Sequence, residues 1–94
     1  MILTYSDINR FLPVTVYGKV TDSVSHRNIS GAHVFVVQGE EETFTNSTGE
    51  FVIKTWQKLP VKVTVQHHRY NKEIRNYSSG TKQLEITLVP GQPK

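Results

Sequence analysis

The chain reads as all-β, a seven-stranded β-sandwich of antiparallel sheets, and three observations carry that reading. Apolar residues alternate with polar ones at a period of two, and nowhere does an apolar stripe recur every three to four residues over a dozen positions. Turn-forming clusters built on Gly, Asn and Ser separate the alternating runs at short intervals. Each strand so defined has one apolar face that must find a partner, and two packed sheets provide it. A small closed barrel of the oligonucleotide-binding kind is the second choice, disfavoured by the strand count and by the absence of a helical pattern to plug it.

The elements follow in order. Val14, Val16, Gly18 and Val20 share one face of a first strand, with Thr15, Tyr17 and Lys19 on the other. Ala32, Val34 and Val36 repeat the pattern, and residues 41–45 form a short polar strand. Phe51 and Ile53 point inward from a fourth strand, Val61, Val63 and Val65 from a fifth. Ile74 marks a short sixth strand, and Leu84, Ile86 and Leu88 alternate cleanly in a seventh. Between them, Ser30-Gly31, Gln38-Gly39, Asn46-Ser47-Thr48-Gly49 and Ser78-Ser79-Gly80 read as turns. Pro60 fits the start of a strand, where the ladder donor it lacks is not needed. Residues 1–12 are expected to be an extension or linker, 13–89 the sandwich, and 90–94 an exit linker.

Length and composition exclude several classes. Ninety-four residues make one domain, and folding at this size removes only about 60–65% of the chain's accessible surface, which leaves little apolar material for a deep active site. There is no cysteine, hence no disulfide framework, thiol nucleophile or zinc–thiolate knot. No apolar run approaches the roughly 20 residues of a membrane-spanning helix, and residues 1–13 lack the basic start and apolar run of a signal peptide. The net charge is +3. Lys54, Lys58, Lys62, Arg69, Lys72 and Arg75 form a basic stretch downstream of the acidic Glu40, Glu41 and Glu42. On strands such charges describe a solvated face, with nucleic-acid binding by Arg69, Tyr70, Lys72 and Arg75 as the sharper alternative.

Three segments together resemble the carboxypeptidase regulatory-like domain: Gly18-Lys19-Val20-Thr21-Asp22, then Ile29-Ser30-Gly31-Ala32 leading to Val34 and Val36, then Thr45-Asn46-Ser47-Thr48-Gly49-Glu50-Phe51 leading to Ile53. The likeness extends over residues 14–89 and implies a Greek-key sandwich of the prealbumin (transthyretin) type. In it, Gly31 and Gly49 have structural roles at turns. It also implies an extracytoplasmic setting in bacteria, such as the periplasm, outer membrane or cell surface, and a partner that is an adjacent domain or another envelope protein. Two departures stand out. Arg69 precedes Tyr70 where the family has glycine, and Asn46 stands where aspartate is common, which weakens a carboxylate calcium site.

Catalytic readings fail on their residues. The Tyr-Arg-Gly-Ser ending of the transthyretin-like hydroxyisourate hydrolases is absent, and no serine sits in a nucleophile elbow. No asparagine between residues 84 and 88 is present to cross-link Lys19. His26, His33, His67 and His68 carry no metal-ligand spacing, and His67 and His68, as strand neighbours, are expected to face opposite sides. The sequence thus points to a non-enzyme without cofactor or metal. Tyr17, Phe35 and Trp56 fall on the parity opposite the core, with Val37 and Val52. They are the candidate contact surface, to be covered by residues 1–12 or open to a neighbouring protein or a glycan. The expected function is that of an accessory, spacer or protein-interaction domain; carbohydrate binding through exposed rings is the alternative, and nucleic-acid binding the third.

Overall fold

The computed structural model describes residues 12–78 and 82–91. Seven strands, β1 (Val14–Asp22), β2 (His33–Val37), β3 (Glu41–Phe44), β4 (Glu50–Thr55), β5 (Val61–His67), β6 (Tyr70–Tyr77) and β7 (Leu84–Leu88), build two packed sheets. One has the order β4-β1-β7 and the other β3-β2-β5-β6. Only the β2–β3 and β5–β6 links stay within a sheet; every other connection crosses the sandwich, which is the Greek-key consequence of two faces that must cover each other.

The inward parity forms the core as the alternation predicts. Val16, Val20, Ala32, Val34, Phe51, Ile53, Val61, Val63, Val65, Ile86 and Leu88 are buried, with Ile29 and Tyr77 beside them. Gly18 pairs with Phe51 across β1 and β4, and its missing side chain makes room for that ring. A Cβ there would lie 2.7 Å from two Phe51 ring carbons and from the Leu84 carbonyl.

Four features differ from the expectations. The β1–β7 ladder is parallel, from Gly18 opposite Leu84 to Asp22 opposite Leu88, whereas the other four ladders are antiparallel. Side-chain alternation is the same in either direction, so periodicity could not tell them apart. The sixth strand is a full eight residues long, and Ile74 faces outward while Tyr77 takes the core position. Its inward parity also carries Glu73 and Arg75, which pair with each other at the rim of the wider sheet. Inward-facing charge of this kind blunts an edge strand against unwanted pairing. Finally, the expected exit linker is partly bonded. Asn71 N–H donates to the Val89 carbonyl at 2.9 Å and Gly91 N–H to the Arg69 carbonyl at 3.0 Å, so residues 89–91 leave β7 and pair with the opposite sheet. The expected turn at Ser79-Gly80 and the extension over residues 1–11 lie outside the described residues.

Candidate functional site

The three rings singled out from the sequence do not share a surface. Tyr17 is half-buried on the outer face of the three-stranded sheet, opposite the exposed Val52 of β4. Phe35 lies on the outer face of the other sheet, on the far side of the sandwich, and Trp56 follows the end of β4. Parity correctly places Tyr17 and Phe35 away from the core, but parity carries no information about which sheet a strand joins.

What gathers around Phe35 instead is a stripe that crosses the four-stranded sheet. Phe44 on β3 pairs with His33 on β2, and their rings stack with centroids 5.0 Å apart; the His33 and Phe35 centroids are 5.1 Å apart. Phe35 pairs with Thr64 of β5, and Thr64 with Ile74 of β6. Phe44 is 62% exposed and Ile74 48%. His33 Nε2 donates to Glu42 Oε2 at 3.1 Å, which holds the imidazole between the two phenyl rings. The stripe has an acid on its β3 side, Glu42, and lysines on its β5–β6 side, Lys62 and Lys72. Sequence reasoning does not single out Phe44 and Ile74 as surface residues, because Phe44 sits in a run that reads as polar and Ile74 mimics a core position. The signal is present in each case, since Phe44 shares parity with Glu42, and Ile74 with Lys72.

Trp56 is 66% exposed, yet its backbone is firmly held. Glu41, at the start of β3, reaches across to β4, where its Oε2 accepts from Trp56 N–H at 2.7 Å and its Oε1 from the buried Thr55 hydroxyl at 2.6 Å. The same hydroxyl oxygen accepts from Gln57 N–H at 3.0 Å. The acidic knot is thus divided among three tasks: Glu41 clamps, Glu42 positions His33, and Glu40 lies beside Trp56.

A third cluster fastens loops. Asp22 Oδ1 accepts from Val24 N–H at 2.7 Å and Ser25 N–H at 2.9 Å, and its Oδ2 accepts the Tyr70 hydroxyl at 2.7 Å. The Tyr70 hydroxyl, helped by the Ser25 and Val24 amides, holds the Asp22 carboxyl below its ordinary 3.8. Reciprocally, that bond holds the Tyr70 phenol above 10.0. A carboxylate whose folded pKa is depressed contributes stability above its unfolded value that is lost as pH falls through the folded one. Urea midpoints measured from pH 6 down to pH 2 should therefore fall more steeply below pH about 4 for the native chain than for Asp22→Asn, and added salt should narrow the difference because the group is solvent-screened.

Tyr70 and Arg75 are thereby engaged, by Asp22 and Glu73 respectively, and Lys72 faces outward from its strand. The basic-aromatic stripe expected for nucleic acid is thus not assembled. The His67 and His68 rings, expected to diverge, stack with centroids 4.5 Å apart, because His68 lies in the turn beyond β5 where alternation ends. Burial, with the neighbouring His68 and Arg69, keeps the His67 pKa below 6.5, and its neutral Nδ1 accepts from Arg69 N–H at 3.1 Å. That bond helps close the turn where the family has glycine. Among the described residues no group of three or more His, Cys, Asp or Glu side chains could hold a metal ion, and no helix is long and apolar enough to cross a membrane.

Gly31 and Gly49 sit at φ +75° and +78°, in the left-handed region that glycine adopts without a side-chain penalty. Asn46 Oδ1 accepts from Thr48 N–H at 3.0 Å and Glu50 N–H at 2.9 Å and so closes the turn.

Comparison with known proteins agrees with this architecture. Two chains of type II cohesin–X-dockerin complexes from Acetivibrio cellulolyticus are similar. One, from an N-terminal interface mutant, has 22% identity and TM-score 0.62 over 85% of this chain and 60% of its own; the other, from a C-terminal interface mutant, has 22% identity and TM-score 0.58 over 79% and 51%. A 9R-lipoxygenase from Cyanothece PCC8801 matches at 10% identity and TM-score 0.50, over 95% of this chain and 17% of its own. The chain therefore spans less than two thirds of each of these, and at such identities the likeness is one of fold. No curated protein sequence matches the chain. The carboxypeptidase regulatory-like domain family matches over residues 15–94, from β1 through the last strand, and with the sandwich and turn glycines in place the chain belongs to that family.

Proposed function

We propose that the domain is a noncatalytic interaction module of an exported or cell-envelope bacterial protein, and that it makes contact through the outer face of its four-stranded sheet. The observation that carries this reading is the Phe44–His33–Phe35–Ile74 stripe, an apolar and aromatic band on a face that alternation would otherwise leave polar. Exposed bands of this kind mark contact sites, and aromatic residues dominate the energetics of such contacts. Acid on one flank and lysine on the other sets an order of charge that a partner must match in reverse, which favours register over raw affinity. The cohesin–X-dockerin neighbours come from complexes with engineered interface changes, so this sandwich occurs in module-to-module assemblies. The family supports the accessory reading and the extracytoplasmic setting.

The test uses a photo-crosslinking residue at position 44 or 74 in cells that make the protein, with position 52 on the opposite outer face as reference. A discrete polypeptide adduct from 44 and 74, absent from 52 and lost on Phe35→Ser, is expected. Adducts from 52 alone, or none from any position, would overturn the assignment of the face.

A further inference from the structure

A separate feature lies just past the C-terminal end of β4. We infer that Trp56 and the grooves on its two sides form a binding site for a neutral pyranose ring of an oligosaccharide.

Three observations combine. The indole is largely exposed, whereas residues 55–57 around it are fixed by the Glu41 carboxylate and the Thr55 hydroxyl at 2.6–3.0 Å. A large ring on a backbone that is already ordered loses little further entropy when a ligand arrives, which is the arrangement expected of a recognition platform. Next, the indole stands between two open grooves. One, of about 550 Å³, is lined by Leu12, Val14, Lys58 and Leu59; the other, of about 310 Å³, by Val37, Glu40 and Glu41; Trp56 and Gln57 belong to both. Neither is a deep pocket, so the ligand that fits is extended and lies across the ring rather than entering the protein.

The chemistry of the lining then selects the class. A pyranose presents an apolar C–H face that packs on an aromatic ring and a rim of hydroxyls that need donors and acceptors. Gln57 supplies both on the two sides of Trp56, Lys58 a donor on one and Glu40 an acceptor on the other. One ammonium, that of Lys58, opposite the two carboxylates of Glu40 and Glu41 offers no net attraction to a polyanion, which argues against uronate, sulfated or nucleic-acid ligands. A proline-rich peptide would also pack on tryptophan, but it has few hydroxyl-like groups to satisfy this polar rim.

Trp56 is the chain's single tryptophan, so selectively excited tryptophan fluorescence reports this site alone. The intact chain would be titrated with cello-, malto-, xylo-, manno- and chito-oligosaccharides to about 10 mM, with oligogalacturonate and a proline-rich peptide as references. The expected result is a blue shift and protection from acrylamide with at least one neutral sugar at micromolar to millimolar Kd. It should be accompanied by NMR shifts at the Trp56 indole and the Gln57 side-chain amide. Gln57→Ala should weaken that binding about tenfold, the loss of one or two hydrogen bonds, without changing Tm. Three results would overturn the inference: no response to any neutral sugar, tighter binding of oligogalacturonate or the peptide, or an emission already blue-shifted and protected in the free protein, which would show that its own chain covers the ring. None bears on the four-stranded face, whose crosslinks are read independently.

Discussion

Gly49→Ala should lower the melting temperature by roughly 15 °C, whereas Gly31→Ala should lower it by about 5–10 °C. Both glycines are left-handed, at φ +78° and +75°, and an L-residue in that region costs about 1–2 kcal/mol. Their surroundings differ. A Cβ at Gly31 meets nothing within 4 Å, but one at Gly49 would lie 2.6 Å from the Val20 carbonyl oxygen. That oxygen accepts from Ile29 N–H at 3.0 Å, while Val20 N–H donates to the Gly49 carbonyl at 2.8 Å. A methyl group at Gly49 must therefore displace backbone on which two hydrogen bonds depend, and the total becomes about 3 kcal/mol, near 5 °C per kcal/mol in a domain of this size. Thermal unfolding of the two variants side by side separates conformational strain from steric displacement. Equal shifts would show that the close approach at Gly49 is relieved at no cost.

Thr45→Val should destabilise by about 2–4 kcal/mol, and Thr45→Ser by about 1 kcal/mol. Thr45 is buried just past β3, where its hydroxyl donates to the Ile29 carbonyl at 2.7 Å and accepts from Ala32 N–H at 2.9 Å. Its backbone adds two more bonds to the same segment, Thr45 N–H to the Ala32 carbonyl at 2.9 Å and Gly31 N–H to the Thr45 carbonyl at 3.0 Å. Valine keeps the shape but strands a donor and an acceptor beside the buried Ala32 and Ile29, so the desolvation cost of both groups is felt. Serine keeps both hydrogen bonds and loses only a methyl group. Denaturant unfolding with unchanged slope m would measure the difference; equal losses in the two variants would mean that the methyl contact, not the hydroxyl, holds the segment.

Much of the core was legible because it depends on local rules. Val16, Val20, Val34, Phe51, Ile53, Val63, Ile86 and Leu88 could be assigned inward from period-two alternation alone, and Gly31 and Gly49 from turn chemistry. Ile74 was misleading, since an isolated apolar residue in a polar run mimics a buried anchor, whereas Tyr77, three residues on, takes that place. The stacked His67 and His68 show the reach of alternation ending with the strand. Glu41 was unreadable as a clamp, for its bonds to residues 55 and 56 cross 14 and 15 positions of sequence.

The sequence by itself determined the strand class, the inward parity, the turn glycines and the family resemblance, because each rests on contacts within a few residues or on a short motif. Only the tertiary structure decided which strands share a sheet, that β7 runs parallel to β1, and how the outward rings are grouped. Alternation states that a side chain points away from the core but not to which side of the sandwich. For that reason Tyr17 and Phe35 part company, Phe44 and Ile74 join Phe35, and Trp56 stands apart on the backbone that Glu41 holds.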